Sequence, residues 1–166
     1  MKTPLPIRLA ITSLFVVAVS AMTPQSADAH CQVPCGIFSD QHRFESMMED
    51  YTTIAKANGE LKKLTEELSG GVTPLAINQA TRWVTTKEEH CHRIQETIAS
   101  YFMAQRIKTG DDAEAYVKKL TAAHAVMQAA MKARQDTSDE VAEALKTKIH
   151  DFYRAYEGKE PHFESH

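Results

Sequence analysis

Apolar residues recur at helical intervals, mostly three, four or seven, along four consecutive stretches of this chain, and no stretch alternates with period two. That interval belongs to an amphipathic α-helix, which buries one stripe and leaves the opposite face to solvent. In the first stretch the stripe is Phe44, Met47, Met48, Tyr51, Ile54, Leu61, Leu64 and Leu68, with Ser39 placed to cap its start and Gly70-Gly71 to stop it. The second opens on Thr73 as N-cap with Pro74 in the first helical position. It carries Ile77, Ala80, Val84, Cys91, Ile94, Ile98 and Tyr101 and ends near Lys108, before Thr109-Gly110. The third carries Tyr116, Val117, Leu120, Ala123, Met127, Ala130 and Met131. The fourth begins at a capping box, Thr137 with Glu140, and carries Val141, Leu145, Ile149, Phe152 and Tyr156. Short links make successive helices antiparallel. The expected fold is therefore all-α, an up-down-up-down four-helix bundle over residues 39–157, with a flexible tail over 158–166.

Composition agrees with this reading. Gly and Pro number only 6 each in 166 residues, so few positions can break a helix. The length suits one domain rather than two. A net charge of -3, with no Lys/Arg-rich run, argues against a nucleic-acid partner.

Residues 1–29 stand outside the expected fold. Lys2 and Arg8 give a positive start, Leu9 to Met22 is apolar, and Thr23 to Ala29 is small and polar, ending Ala27-Asp28-Ala29. That order describes a secretory signal peptide, removed by signal peptidase after Ala29. The apolar run is shorter than the ~20 residues of a membrane span, so no stable membrane anchor is expected after cleavage. The mature protein is expected to be exported, to a periplasm or the extracellular space. Cleavage takes away Lys2, Arg8 and Asp28 and leaves 137 residues of formal charge -4, beginning at His30.

A new N-terminus at His30 changes what residues 30–38 can do. The α-amine, the peptide nitrogen of Cys31 and the Cys31 thiolate can wrap one metal in two fused five-membered rings. Cys35 can return a second thiolate to the fourth in-plane position, Pro34 helps the chain turn back, and the His30 imidazole can approach along the axis. Zinc prefers a tetrahedron of thiolates and imidazoles. An in-plane pair of nitrogens and pair of thiolates, with one amide ionised, suits nickel(II) or copper(II). Such electron-releasing donors bring a trivalent nickel state within reach. A metal that loses and regains one electron beside an open axial face suits superoxide chemistry.

His30-Cys31-Gln32-Val33-Pro34-Cys35-Gly36, set at a cleavage point, resembles the active-site hook of the nickel superoxide dismutases. The length and four-helix reading of the remaining chain are similar to that family too, so the resemblance covers essentially all of residues 30–166, and the segment Thr81-Arg82-Trp83 through Lys87-Glu88-Glu89 and the Tyr101-Phe102 pair resemble the family's second helix. It implies dismutation of superoxide to dioxygen and hydrogen peroxide by one-electron cycling of a nickel ion between Ni2+ and Ni3+, one per subunit. It implies His30, Cys31 and Cys35 as metal ligands and catalytic residues, with Pro34 and Phe38 walling the substrate pocket. Phe38 stands where the family usually has Tyr. Glu45 sits at the position of the carboxylate that supports the axial imidazole, and His90 at that of the basic residue holding this carboxylate. Self-association as a homohexamer is implied as well.

Two other readings use the same residues. A periplasmic copper or nickel carrier would use the hook without turnover. A structural bundle would close Cys31 and Cys35, whose spacing permits it, into a small disulfide loop. Elsewhere Cys91 reads as a core thiol, His124 as a core or interface histidine, and Glu88, Glu89, His90 and His92 mostly as a solvated surface, because helix neighbours two apart do not share a face.

Overall fold

In the computed structural model, residues 39–110 and 112–163 are described. They form α1 (Asp40–Ser69), α2 (Pro74–Glu96) continued by a π-helix (Thr97–Arg106), α3 (Ala113–Gln135) and α4 (Asp139–Glu157). α1 packs against α2 and α4, and α3 packs against the same two, as expected of an up-down-up-down bundle. No described helix is long and apolar enough to cross a membrane.

The helix boundaries follow local chemistry. Ser39 Oγ accepts from the His42 amide at 3.2 Å, and Thr73 Oγ1 accepts from the Ala76 amide at 3.1 Å, each satisfying a donor the helix itself leaves open. Asp112 does the same for α3 through the Ala115 amide at 2.9 Å. Gly158 ends α4 in the left-handed region, φ 71°. The expected capping box at Thr137 does not form. Ser138 is the N-cap of α4 without a side-chain bond, and Asp136 Oδ1 accepts from the Ser138 amide at 2.8 Å. An Asx turn, the commoner use of Asp at a bend, has taken the place of the Thr137 cap.

One end of the core is aromatic. Phe44 of α1 meets Phe102 of the π-helix and Phe152 and Tyr153 of α4 with ring centroids 4.8 to 5.1 Å apart. Towards the other end the core is aliphatic, with Ile54, Ile94, Val126, Leu145 and Ile149 fully buried. α3 turns a face of small residues inward, namely Ala123, Val126, Ala129, Ala130 and Ala133, while Val117 and Met131 of its expected stripe are exposed. Small side chains on that face let α3 lie close to its neighbours, so it contributes close approach rather than volume.

The stripe on α2 divides in two. Cys91, Ile94, Ile98 and Tyr101 are buried as expected, but Ile77 and Val84 are exposed. The cause is where the α3–α4 turn meets the α1–α2 hairpin. Asn58 Nδ2 donates to Ser138 O at 3.2 Å, Lys62 pairs with Asp139 at 2.5 Å, and Lys87 lies against the end of α3. The hairpin runs on past these contacts as a two-helix arm, about 20 Å long on the α2 side.

Lys87 is the anchor of this junction. Its ammonium is buried and donates to the carbonyls of Ala133, Arg134 and Asp136, each at 2.9 Å. These are oxygens that the last turn of α3 cannot satisfy internally, at the negative end of its dipole. Replacing Lys87 with Met keeps the stem and strands three acceptors. The expected loss is about 3 kcal/mol of unfolding free energy, measured by urea denaturation, with the helical circular-dichroism signal retained.

Candidate metal centre

His30, Cys31, Pro34, Cys35 and Phe38 lie outside the described residues. The described site begins at Ser39. The described residues contain no group of three or more His, Cys, Asp or Glu side chains able to hold a metal. The expected ligands His30, Cys31 and Cys35 are not among them.

Around the first turn of α1 the structure gathers a polar cluster. Asp40 accepts from Tyr101 at 2.6 Å, from Tyr156 at 2.7 Å and from Arg106 at 2.7 Å. The Arg43 guanidinium lies over the Tyr101 ring, 4.9 Å from its centroid. The next residue, Gln41, accepts from Tyr153 at 2.9 Å and donates to Glu45 at 2.9 Å and to the His162 carbonyl at 2.9 Å. His42 Nδ1 lies 2.9 Å from the other Glu45 oxygen. Glu45, the expected support for the axial imidazole, is thus a half-buried carboxylate at the hook end of the bundle, positioned by residues three and four places before it.

His90 has a different partner from the one expected. It lies 2.6 Å from Asp50, not against Glu45, and both members of this pair are largely shielded from water. Asp50 is one helical turn and a residue beyond Glu45, so α1 presents the two carboxylates to different neighbours. The adjoining α2 residues also part company: Glu88 binds Arg134 at 2.7 Å, Glu89 binds Arg93, and His92 is exposed. Cys91 is fully buried, and burial first of all pushes its thiol up to about 11, which makes it inert as a core thiol should be. His124 is exposed rather than core.

Asp40, Gln41, Asp50 and Arg106 were not marked by any sequence motif. An acid in the first turn of α1 signals only a favourable helix dipole. Its partner Arg106 is 66 residues away, so nothing local announces the pair.

The model of the nickel-containing superoxide dismutase family matches residues 25–160, spanning both the hook and the bundle. No curated protein and no solved structure matches the chain.

The Asp40 cluster carries a pH signature. Burial raises the Asp40 carboxyl, but hydrogen bonds from Arg106, Tyr101 and Tyr156 and the guanidinium charge outweigh it and leave the group below the ordinary aspartate range. A carboxyl depressed in the folded state contributes stability above its unfolded pKa and loses it as pH falls through the folded one. The stability difference between wild type and Asp40→Asn is expected to be constant above about pH 5 and to shrink below about pH 4, as read from urea midpoints across that range.

Proposed function

Since this chain belongs to the nickel-containing superoxide dismutase family, we propose that it is the exported form of that enzyme, with His30, Cys31 and Cys35 holding the nickel once the signal peptide is removed. The family match carries the activity and the cofactor: the protein is a superoxide dismutase, an oxidoreductase, and nickel is its metal. The match also favours turnover over the carrier reading, since a carrier has no use for the reaction.

Bound in the hook, nickel supplies one-electron redox chemistry through its divalent and trivalent states. The chain's own residues do the rest. His30 contributes the α-amine that exists only after cleavage at Ala29, so export and assembly of the site are the same event. Cys31 contributes an amide nitrogen and a thiolate, Cys35 a second thiolate, and Pro34 the turn between them. Phe38 offers a ring to wall the pocket but no hydroxyl, so it orders neither water nor anion. Glu45, held between Gln41 and His42, stands at the position of the carboxylate that the resemblance assigns to supporting the imidazole, a role that would tune the imidazole's orientation and basicity. A mature charge of -4 repels superoxide at long range, so attraction to the site is local.

Self-association fits the two-helix arm. Val72, Leu75, Ile77 and Val84 are 71, 66, 50 and 44% exposed there, and Arg82 is the one charged residue from Val72 to Thr86. Apolar and nearly uncharged, with Trp83 and Arg82 included, the strip has the composition of an interface core. Exposed Glu66 and Glu67 on α1 complement Arg82, so a second copy can dock here without the repulsion between two negative chains. A homohexamer is the assembly we assign to it.

Protein recovered from the exported compartment is expected to begin at His30, to hold about one nickel per chain and to remove superoxide in the presence of cyanide. A retained leader in an active sample would rule out the amine ligand. Cys31→Ser or Cys35→Ser should abolish activity, whereas Phe38→Tyr should change the rate modestly at unchanged metal content. For the assembly, the Leu75→Asp, Ile77→Asp double variant is expected to run as a smaller species than wild type in sedimentation analysis.

A further inference from the structure

Residues 158–163 turn back along α4 and pack on its last turns. Gly158 reverses the chain at φ 71°, and Pro161, which has no amide hydrogen, keeps it out of helix. Three contacts hold the segment down. Glu160 accepts from Arg154 Nε at 2.8 Å, and the His162 carbonyl accepts from Gln41 of α1 at 2.9 Å. The Phe163 ring packs against Tyr153 and His150, with centroids 5.2 and 5.4 Å away. The ion pair is exposed and contributes little. Phe163 buries apolar surface, so a change in its seat is what dislodges the segment.

That seat has an orphan in it. His150 is half-buried, yet its Nε2 is shut off from water and has no hydrogen-bond partner. A neutral imidazole tolerates this, because Nε2 can be the nitrogen without a proton. An imidazolium does not, because both nitrogens then carry hydrogens and the one on Nε2 has no acceptor. Cation–π attraction to the tilted Phe163 ring returns only part of that loss.

The charges around His150 do not compensate. Burial first, then the Arg154 and Lys146 cations, push the imidazole below the ordinary histidine range, and Asp151 and Glu143 pull the other way without prevailing. Both acids are engaged elsewhere, Asp151 by Lys148 and Arg154, Glu143 by Tyr51 and Lys146. In the segment itself Glu160 is taken by Arg154, Lys159 lies over the Tyr153 ring, and the His162 side chain is exposed. On α1, His42 and Glu45 pair with each other at the same corner. On the α3 side of α4, Lys118 lines a groove with Lys148 and Asp151.

We propose that residues 158–163 are a pH-sensitive strap, closed while His150 is neutral and released when its imidazole takes up a proton. Release lets water reach Nε2 and accept its new hydrogen. It also takes the His162 carbonyl away from Gln41, whose amide then keeps Glu45 as its acceptor. No proposed nickel ligand takes part. The closed strap binds a proton less well than the open one. Closure is therefore at full strength above the ordinary histidine pKa of about 6.5 and weakens as pH falls below it, until the closed state titrates as well.

The test uses the purified full chain in its native assembly, as wild type, His150→Phe, Glu160→Gln and Phe163→Ala. Pulsed hydroxyl-radical labelling, read residue by residue by mass spectrometry against the exposed Met131, reports the exposure of Phe163 between about pH 7.5 and about pH 5. Deuterium exchange at the imidazole C2 position reports the titration midpoint of each histidine. Labelling of Phe163 is expected to rise several-fold towards pH 5 in wild type and in Glu160→Gln, and to stay flat in His150→Phe, which keeps a ring but cannot titrate. In Phe163→Ala the His150 midpoint should rise towards the ordinary value while that of exposed His124 stays in place. Flat labelling in wild type, the same rise in His150→Phe, loss of the rise in Glu160→Gln, or an unmoved His150 midpoint in Phe163→Ala would each overturn the proposal. If His150→Phe does not fold, the non-titrating His150→Gln takes its place and is judged by the same two outcomes.

Discussion

A buried ammonium with three backbone carbonyls around it sets the register of this bundle. Lys87 reaches out of α2 into the end of α3, and its bonds to Ala133, Arg134 and Asp136 settle how far one helix pair slides along the other. A lysine this deep is tolerable only because every proton on it has an acceptor and those acceptors sit at the negative end of a helix. Sliding α3 by a turn would leave the charge unpaired and three carbonyls dry. The register then decides two things at once. It leaves the tip of the α1–α2 hairpin outside the bundle, where its apolar side chains face solvent. It also determines which residues of α2 and its π extension arrive, at the other end, beside the start of α1.

At that other end the register alone does not suffice. An α-helix continued through residues 97–106 would deliver either Tyr101 or Arg106 to Asp40. The π winding delivers both and still buries Phe102 among Phe44, Phe152 and Tyr156. Burial of three aromatic rings against Phe102 offsets the poorer backbone geometry. The polar cluster on Asp40 and the aromatic cluster behind it are thus two faces of one distortion.

Much of the fold could be read in advance because helices advertise themselves locally. The caps at Ser39 and Thr73, the Gly70-Gly71 stop and the period of the stripes are all properties of neighbouring residues. The stripes misled where burial depends on what lies across the way. Ile77 and Val84 have helical spacing and no partner helix, and α3 buries its alanines while Val117 and Met131 face outward. The π-helix left no trace in the local sequence, and Arg106 at its end meets Asp40 from 66 residues away. The expectation of a hook rests on residue types alone, because chelation by consecutive residues is also a local matter. Support for it was legible only by position. Glu45 stands at the expected end of α1, but His90 serves Asp50, and the side chains that hold Glu45 are its own helical neighbours Gln41 and His42.

The segment after α4 was expected to be flexible, yet residues 158–163 fold back. Phe163 packs against His150 and Tyr153, with ring centroids 5.4 and 5.2 Å away, and the His162 carbonyl accepts from Gln41, the residue that also holds Glu45. Entry to the bundle and exit from it are therefore neighbours. If His30 is the first residue and its amine a ligand, as proposed, no tag can stand at the front of the mature chain. An extension beyond Phe163 would press on the same corner, so a label for this protein belongs at the opposite end of the bundle, away from Asp40 and from the loop around Gly110.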